Sequence, residues 1–255
     1  MHLPPDWDQP KAGNEQLCGR FLAGVFTRKG QRLPYRYLQN PSEEALPLVV
    51  YLHGADAVGT DNESPLALHD IGTIFATDEW QAAHPCHILA PQYHFRSHWS
   101  TDEMNDMVDA LVRGHAGLCH ADWNRIYLYG YSAGGVGTLR YIKSHPGFYA
   151  AAISICGATG REDMERLAEL PLWLVHAADD AIVKASYEDG SGRKYHFGSR
   201  DLYEALHEQA PTLRYTELPA GYMKETYGVN PHCSWVEVSE HVAEYGEWLF
   251  SQKRE

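Results

Sequence analysis

Gly130-Tyr131-Ser132-Ala133-Gly134 sets a serine between two glycines, directly after the β-rich run Arg125 to Tyr129 and directly before a glycine-rich segment leading into Leu139 and Ile142. A strand that turns sharply into a helix at such a pentapeptide exposes the serine hydroxyl. The glycines let the backbone crowd together, and the serine takes a strained conformation. The positive end of the following helix then points at the reaction centre. A serine hydroxyl attacks a carbonyl only when a base removes its proton, and the base needs an acid to orient it.

Both partners have candidates later in the chain. The run Leu172-Trp173-Leu174-Val175-His176 reads as a strand, and Ala177-Ala178-Asp179-Asp180-Ala181-Ile182-Val183 follows it. Two adjacent aspartates compete for the acid, and loop position alone does not separate them. The base is expected in a loop before the last helix, where Pro231-His232-Cys233-Ser234-Trp235 lies. Of 15 histidines, His232 stands out by position: His196 and His207 come too early, and His241 falls within the expected final helix. An acyl-transfer site also needs two donors for the oxyanion. The backbone N–H of Ala133 is one candidate, and that of Ala55, in the turn Leu52-His53-Gly54-Ala55, is the other.

The elements that must position these groups follow an alternating pattern. Leu46 to Leu52 (LPLVVYL) is a continuous apolar run, as expected of a strand buried on both faces. Shorter runs lie at His87–Ala90, Arg125–Tyr129, Ala150–Ile155 and Leu172–His176, with a less apolar one at Leu213–Leu218 and Leu33–Leu38 as a candidate antiparallel edge strand. Met104, Val108, Leu111 and Val112 recur at helical spacing, as do Leu202, Ala205 and Leu206, and Val238 to Phe250 reads as a closing helix. Strands alternating with helices predict an α/β fold with a mostly parallel sheet. The 255 residues are expected to form one domain, 1–255. A polar, Gly-rich insertion at 183–198 is expected as a surface loop, either a solvated excursion or a flap over the site.

The net charge of −13 repels phosphate backbones and anionic lipid, so nucleic-acid and membrane partners are not expected. Five dispersed cysteines without a C-x-x-C pair suit a reducing compartment. The opening stretch lacks the pattern of a secretory signal, and a cytoplasmic location is expected. No H-E-x-x-H motif occurs, so neither a metal nor a cofactor is expected.

Taken together, these residues resemble the dienelactone-hydrolase-like esterases often labelled predicted peptidases, relatives of polyhydroxybutyrate depolymerases and feruloyl esterases in the α/β-hydrolase superfamily. The matching pieces are YLHGADAVGTDN from Tyr51, ILAPQY from Ile88 with His98-Trp99, RIYLYGYSAGGVGT from Arg125, HPGFYAAAISICG from His145, LPLWLVHAADDAIV from Leu170 and HCSW from His232. The resemblance implies an α/β-hydrolase fold with Ser132 as nucleophile, Asp180 rather than Asp179 as acid, and His232 as base. It implies hydrolysis of short-chain, aryl or sugar-linked carboxylic esters without a metal, the partner being a small-molecule or carbohydrate-linked ester. Trp99 matches a tryptophan that lines the substrate site in the family, and Tyr131 and Trp235 join it as candidate substrate contacts. The chain departs from the family in three places. Asp56 replaces the second glycine of the oxyanion loop, and is a candidate for binding a substrate hydroxyl. His176-Ala177 replaces His-Gly before the acid. An extended loop at 221–231, containing YMKETYGVNP, separates Gly221 from the base.

Overall fold

Alternate residues of Leu46–Leu52 serve opposite faces of a sheet: Leu48, Val50 and Leu52 enter one buried cluster, Val49 and Tyr51 the other. The same period of two sorts Ile126 and Leu128 from Tyr127, Tyr129 and Tyr131, and Leu172 and Leu174 from Trp173 and Val175. Strands that are apolar on both faces require helices on both faces. That is the architecture of the computed structural model, which describes residues 14–187 and 197–255.

The strands are β1 (Leu22–Arg28), β2 (Gln31–Leu38), β3 (Leu46–Leu52), β4 (His87–Pro91), β5 (Ala121–Tyr131), β6 (Ala151–Ile155), β7 (Leu172–Ala177) and β8 (Arg214–Leu218). They form one sheet in the order β1-β2-β4-β3-β5-β6-β7-β8. β3 to β8 run parallel, while β2 pairs antiparallel with both β1 and β4. The helices are α1 (Asn14–Cys18), α2 (Ser64–Ala67), α3 (Asp78–Ala83), α4 (Asp102–Leu118), α5 (Ala133–Ser144), α6 (Ser199–Leu206), α7 (Tyr222–Tyr227), α8 (Trp235–Glu240) and α9 (Val242–Ser251). Residues from α4, α5 and α6 close over one face, and residues from α3, α8 and α9 over the other. α4 begins at Thr101, whose hydroxyl accepts from the Met104 N–H at 3.3 Å. Among the described residues, no helix is long and apolar enough to cross a membrane.

Four expectations are corrected here. The edge strand is β1, not the stretch Leu33–Leu38, which becomes β2 and is paired on both sides. Most of β1 is exposed, so it carries little apolar signal. Gly24 within it receives the Tyr35 ring, where a Cβ would lie 2.3 Å from Tyr35 Cζ. The closing helix is broken at His241 into α8 and α9. The segment 221–231 is not simply an extended loop but contains α7, which ends at Gly228 with φ +71°. The hydroxyls of Tyr222 and Tyr227 both donate to Glu237 Oε2 of α8, at 3.0 and 2.7 Å, so the segment packs onto the helix that follows the base. Ala205, expected on the inner face of α6, is exposed.

Of the insertion expected at 183–198, residues 188–196 lie outside the described residues, and with them any flap. Its two ends are joined at one carboxylate: Asp201 Oδ2 accepts from the N–H groups of Tyr187 and Gly198, at 2.8 and 2.9 Å.

Candidate active site

Ser132 sits between β5 and α5 with φ +53° and ψ −117°, a conformation that L-residues adopt only when their surroundings enforce it. Its N–H donates to Ile155 O at 2.9 Å and lies 3.3 Å from Cys156 Sγ. The flanking glycines are required by space. A Cβ on Gly134 would fall 1.9 Å from Leu52 O, and one on Gly130 would fall 2.6 Å from Gly134 O. The turn is therefore wedged against the end of β3, which brings the nucleophile candidate beside the loop that β3 leads into.

The carboxyl ends of parallel strands gather the remaining groups, as they do in open α/β sheets generally. His232 Nε2 lies 2.9 Å from Ser132 Oγ, and His232 Nδ1 lies 2.7 Å from Asp180 Oδ2. The structure thus brings Ser132, His232 and Asp180 into one hydrogen-bonded line. Asp179 is not part of it: exposed, it accepts from the Gly221 N–H at 2.9 Å and holds the entry to α7. Asp180 Oδ1 accepts from the N–H groups of Ile182 and Val183, at 2.8 and 3.1 Å. Burial pushes the Asp180 pKa up, but hydrogen bonds from His176 and His232 outweigh it and hold the carboxyl well below the usual carboxylate range. Asp180 is accordingly an anion that fixes the proton of His232 on Nδ1, leaving Nε2 to accept from Ser132.

His176, noted in the sequence only as a departure, belongs to this cluster. It is wholly buried, with Nε2 3.2 Å from Asp180 Oδ2 and 2.8 Å from Val183 O, and Nδ1 2.8 Å from Ser199 Oγ. Two acceptors around Nε2 require the proton there, so His176 donates to the same oxygen as His232. The base loop has its own supports. Asn230 Oδ1 accepts from the His232 N–H at 2.9 Å, and Ser234 Oγ accepts from the Ala177 N–H at 3.1 Å, joining that loop to the end of β7. Nothing in residue type or spacing marks Asn230, Ser234 or His176 as neighbours of Ser132, His232 and Asp180, because each contact spans separate elements or depends on loop conformation.

Both oxyanion candidates open a helical turn. Ala133 is the first residue of α5 and Ala55 the first of a 3₁₀ turn, Ala55–Ala57, so neither N–H has an acceptor within its own helix. His53 governs the second. Its Nε2 accepts from the Tyr93 N–H at 3.3 Å, so the proton is on Nδ1, which donates to Gly54 O at 2.6 Å. A trans peptide points its C=O and N–H in opposite directions, so fixing Gly54 O fixes the Ala55 N–H. Burial lowers the His53 pKa to about 4, keeping the ring neutral.

The four candidate substrate contacts need correction. Trp99 is completely buried; its Nε1–H donates to His53 O at 2.9 Å, and its indole packs edge-on against the His53 ring. Tyr131 is 1% exposed and donates its hydroxyl to Asp56 Oδ1 at 2.7 Å. Trp235 is 3% exposed, against Tyr131 and His69. The Asp56 side chain is 4% exposed and fully engaged by Tyr131, His69 and the Ala57 N–H, so it is not turned toward a substrate hydroxyl. All four side chains are buried. The polar atoms of Trp99, Tyr131 and Asp56 are used by neighbours and Trp235 is packed among other rings, which is why aromatic type and nearness in sequence misplaced them. Among the described residues, no three His, Cys, Asp or Glu side chains are grouped to hold a metal ion.

No protein-family model matches the chain, and no curated protein matches it. Solved structures do. A thermostable esterase is 36% identical, with a TM-score of 0.84, over 94% of this chain and 64% of that one. This chain therefore spans less than two thirds of that structure's length. Est1E from Butyrivibrio proteoclasticus has a TM-score of 0.61 at 14% identity, over 89% of this chain and 98% of that one. A structure described as a dienelactone hydrolase, from Klebsiella pneumoniae, has a TM-score of 0.57 at 16% identity, over 91% of this chain and 99% of that one. The last two share the fold. Given the strand order, the strained serine turn and a likeness that runs along nearly all of its length, the chain has the α/β-hydrolase fold.

Proposed function

We propose that the protein is a serine hydrolase that cleaves carboxylic esters through an acyl-enzyme. The observation carrying this reading is the relay from Ser132 Oγ to His232 Nε2, 2.9 Å, and from His232 Nδ1 to Asp180 Oδ2, 2.7 Å, in a site where Ser132 itself remains partly exposed. Ser132 attacks the ester carbonyl while His232 takes its proton, and the imidazolium is stabilised by Asp180. The N–H groups of Ala133 and Ala55 receive the oxyanion. His232 then gives the proton to the leaving alcohol, and the sequence repeats with water as nucleophile, releasing the acid and restoring Ser132.

For the substrate, the reading is a short-chain or aryl ester, acetyl or feruloyl groups on carbohydrates included. Phe95 supports the aryl arm of it. It stands 85% exposed on the segment that leaves the carboxyl end of β4, the same end of the sheet as Ser132. Its ring is open to stack on an aromatic acyl or alcohol group, a placement that Trp99 does not have.

Hydrolysis of p-nitrophenyl acetate tests the reaction, and a panel of acyl chain lengths, feruloyl esters and acetylated sugars tests the substrate class. Ser132→Ala is expected to lose all serine-dependent turnover and all labelling by a fluorophosphonate while keeping the wild-type melting temperature. Undiminished hydrolysis by Ser132→Ala, or a wild-type serine that does not label, rules the mechanism out.

A further inference from the structure

Asp56 is the residue least expected in its place, a carboxylate beside a candidate oxyanion hole, where added negative charge opposes the reaction. Its surroundings remove that conflict. Oδ1 accepts from the Tyr131 hydroxyl at 2.7 Å and from the Ala57 N–H at 3.0 Å, and Oδ2 pairs with His69 Nε2 at 2.5 Å. The charge is thus directed at one donor within the loop and two side chains packed against it.

Those donors belong to different parts of the site. Ala57 closes the 3₁₀ turn that Ala55 opens. Tyr131 is the residue before Ser132, and its ring lies so close to the loop that a Cβ on Gly54 would fall 2.3 Å from Tyr131 Cε2. His69 stands edge-on to Tyr131, with ring centroids 5.6 Å apart, and packs against Trp235 at 5.1 Å. Trp235 in turn meets the His232 ring edge-on at 5.7 Å. One buried carboxylate therefore joins the loop after β3, the nucleophile turn after β5 and the base loop before α8.

We propose that Asp56, through Tyr131 and His69, is a positioning residue that holds the Ala55 N–H in register with Ser132 and His232. The proposal rests on the esterase reading above. In this role Asp56 replaces backbone compactness, which a glycine would provide, with a hydrogen-bonded brace. His53 still orients the Gly54–Ala55 peptide when the brace is lost, but the turn that carries it is no longer tied to Tyr131 and His69. The Ala55 N–H then shifts relative to Ser132, which matters most when the oxyanion forms and little when the ester binds.

The test measures kcat and KM for p-nitrophenyl acetate, together with melting temperature, in Asp56→Ala, Asp56→Asn and Tyr131→Phe. Asp56→Ala is expected to lower kcat by about 10²–10³-fold, the cost of one oxyanion donor, with KM changed by less than about threefold. Asp56→Asn is expected to recover most of that loss. Its amide oxygen keeps the Tyr131 hydroxyl and Ala57 N–H, and its NH₂ donates to the other tautomer of His69. Tyr131→Phe, which keeps the ring packing and deletes one hydrogen bond, is expected to lower kcat about tenfold. Should Asp56→Ala not fold, Tyr131→Phe and Asp56→Asn decide. A wild-type kcat in Tyr131→Phe or Asp56→Ala overturns the proposal while the esterase reading stands, and so does a loss that falls on KM alone. A wild type without Ser132-dependent hydrolysis overturns both.

Discussion

Asp180 and Asp179 are adjacent and chemically identical, yet their surroundings give them different work. Asp180 Oδ1 is already committed to the N–H groups of Ile182 and Val183, which leaves Oδ2 to face two histidines. In Asp180→Asn those backbone donors dictate that the amide oxygen takes the Oδ1 place. The NH₂ then faces His232 Nδ1, which must give up its proton and carry it on Nε2, where it no longer accepts from Ser132. Asp180→Asn is expected to lower kcat by roughly 10⁴-fold, whereas Asp179→Asn, which still accepts from Gly221, is expected to stay close to wild type. Ester-hydrolysis rates of the two purified variants check this. Equal losses would mean that the acid is misassigned. That Ser132, Asp180 and His232 come together was legible in the sequence through motif, order and resemblance. The roles of Asp56, Tyr131, Trp99 and Trp235 were not, because whether a polar aromatic or a carboxylate faces substrate or protein depends on neighbours supplied by other strands.

Among the elements, the contact between α5 and β3 carries the greatest constraint. The Gly134 position meets Leu52 O at 1.9 Å and His53 O at 2.8 Å, both backbone atoms that have no rotamer with which to yield. Gly134→Ala is expected to destabilise the fold by about 3 kcal/mol and to abolish activity, since separating α5 from β3 also separates the two proposed oxyanion donors. Gly114→Ala in α4 provides the contrast. It has no heavy atom within 4 Å of its would-be Cβ and gains helix propensity of roughly 1 kcal/mol. Urea unfolding of both variants separates the cases, and similar midpoints would refute the packing argument. The cores of β3 to β7 were readable as apolar runs, since strands buried on both faces have few other compositions available, while β8 (RYTEL), at the sheet edge and only partly buried, gave a weaker signal. β1 and α7 were not: one is exposed along most of its length, and the other is held by tyrosines reaching Glu237 on a different helix.

For the molecule as a whole, buried neutral histidines set an acid limit. Burial lowers the pKa of both His53 and His115 from 6.5 to about 4. Each group binds its proton more readily in the unfolded chain, so its contribution to stability is complete above pH 6.5 and is lost as pH falls through about 4. For the fully enclosed His53 the shift corresponds to about 3 kcal/mol. Unfolding free energy is expected to decline across this window. His115→Leu, which removes a ring whose Nε2 is buried without a partner beside Tyr37, is expected to flatten the decline. Denaturant titrations at pH 7, 5.5 and 4 measure it, and a slope unchanged by His115→Leu would assign the acid sensitivity elsewhere.

By itself the sequence determined the α/β alternation, the serine turn and the order in which serine, acid and base appear, because periodicity, glycine spacing and strand composition are local properties of a chain. Tertiary structure decided everything that needs two distant segments at one point. It separated Asp180 from Asp179 by geometry, seated His176 behind the acid, and turned Asp56 from a candidate substrate ligand into a brace under the oxyanion loop. Hydrogen bonds and close packing act over a few ångströms in space, and a linear chain records that nearness only after it has folded.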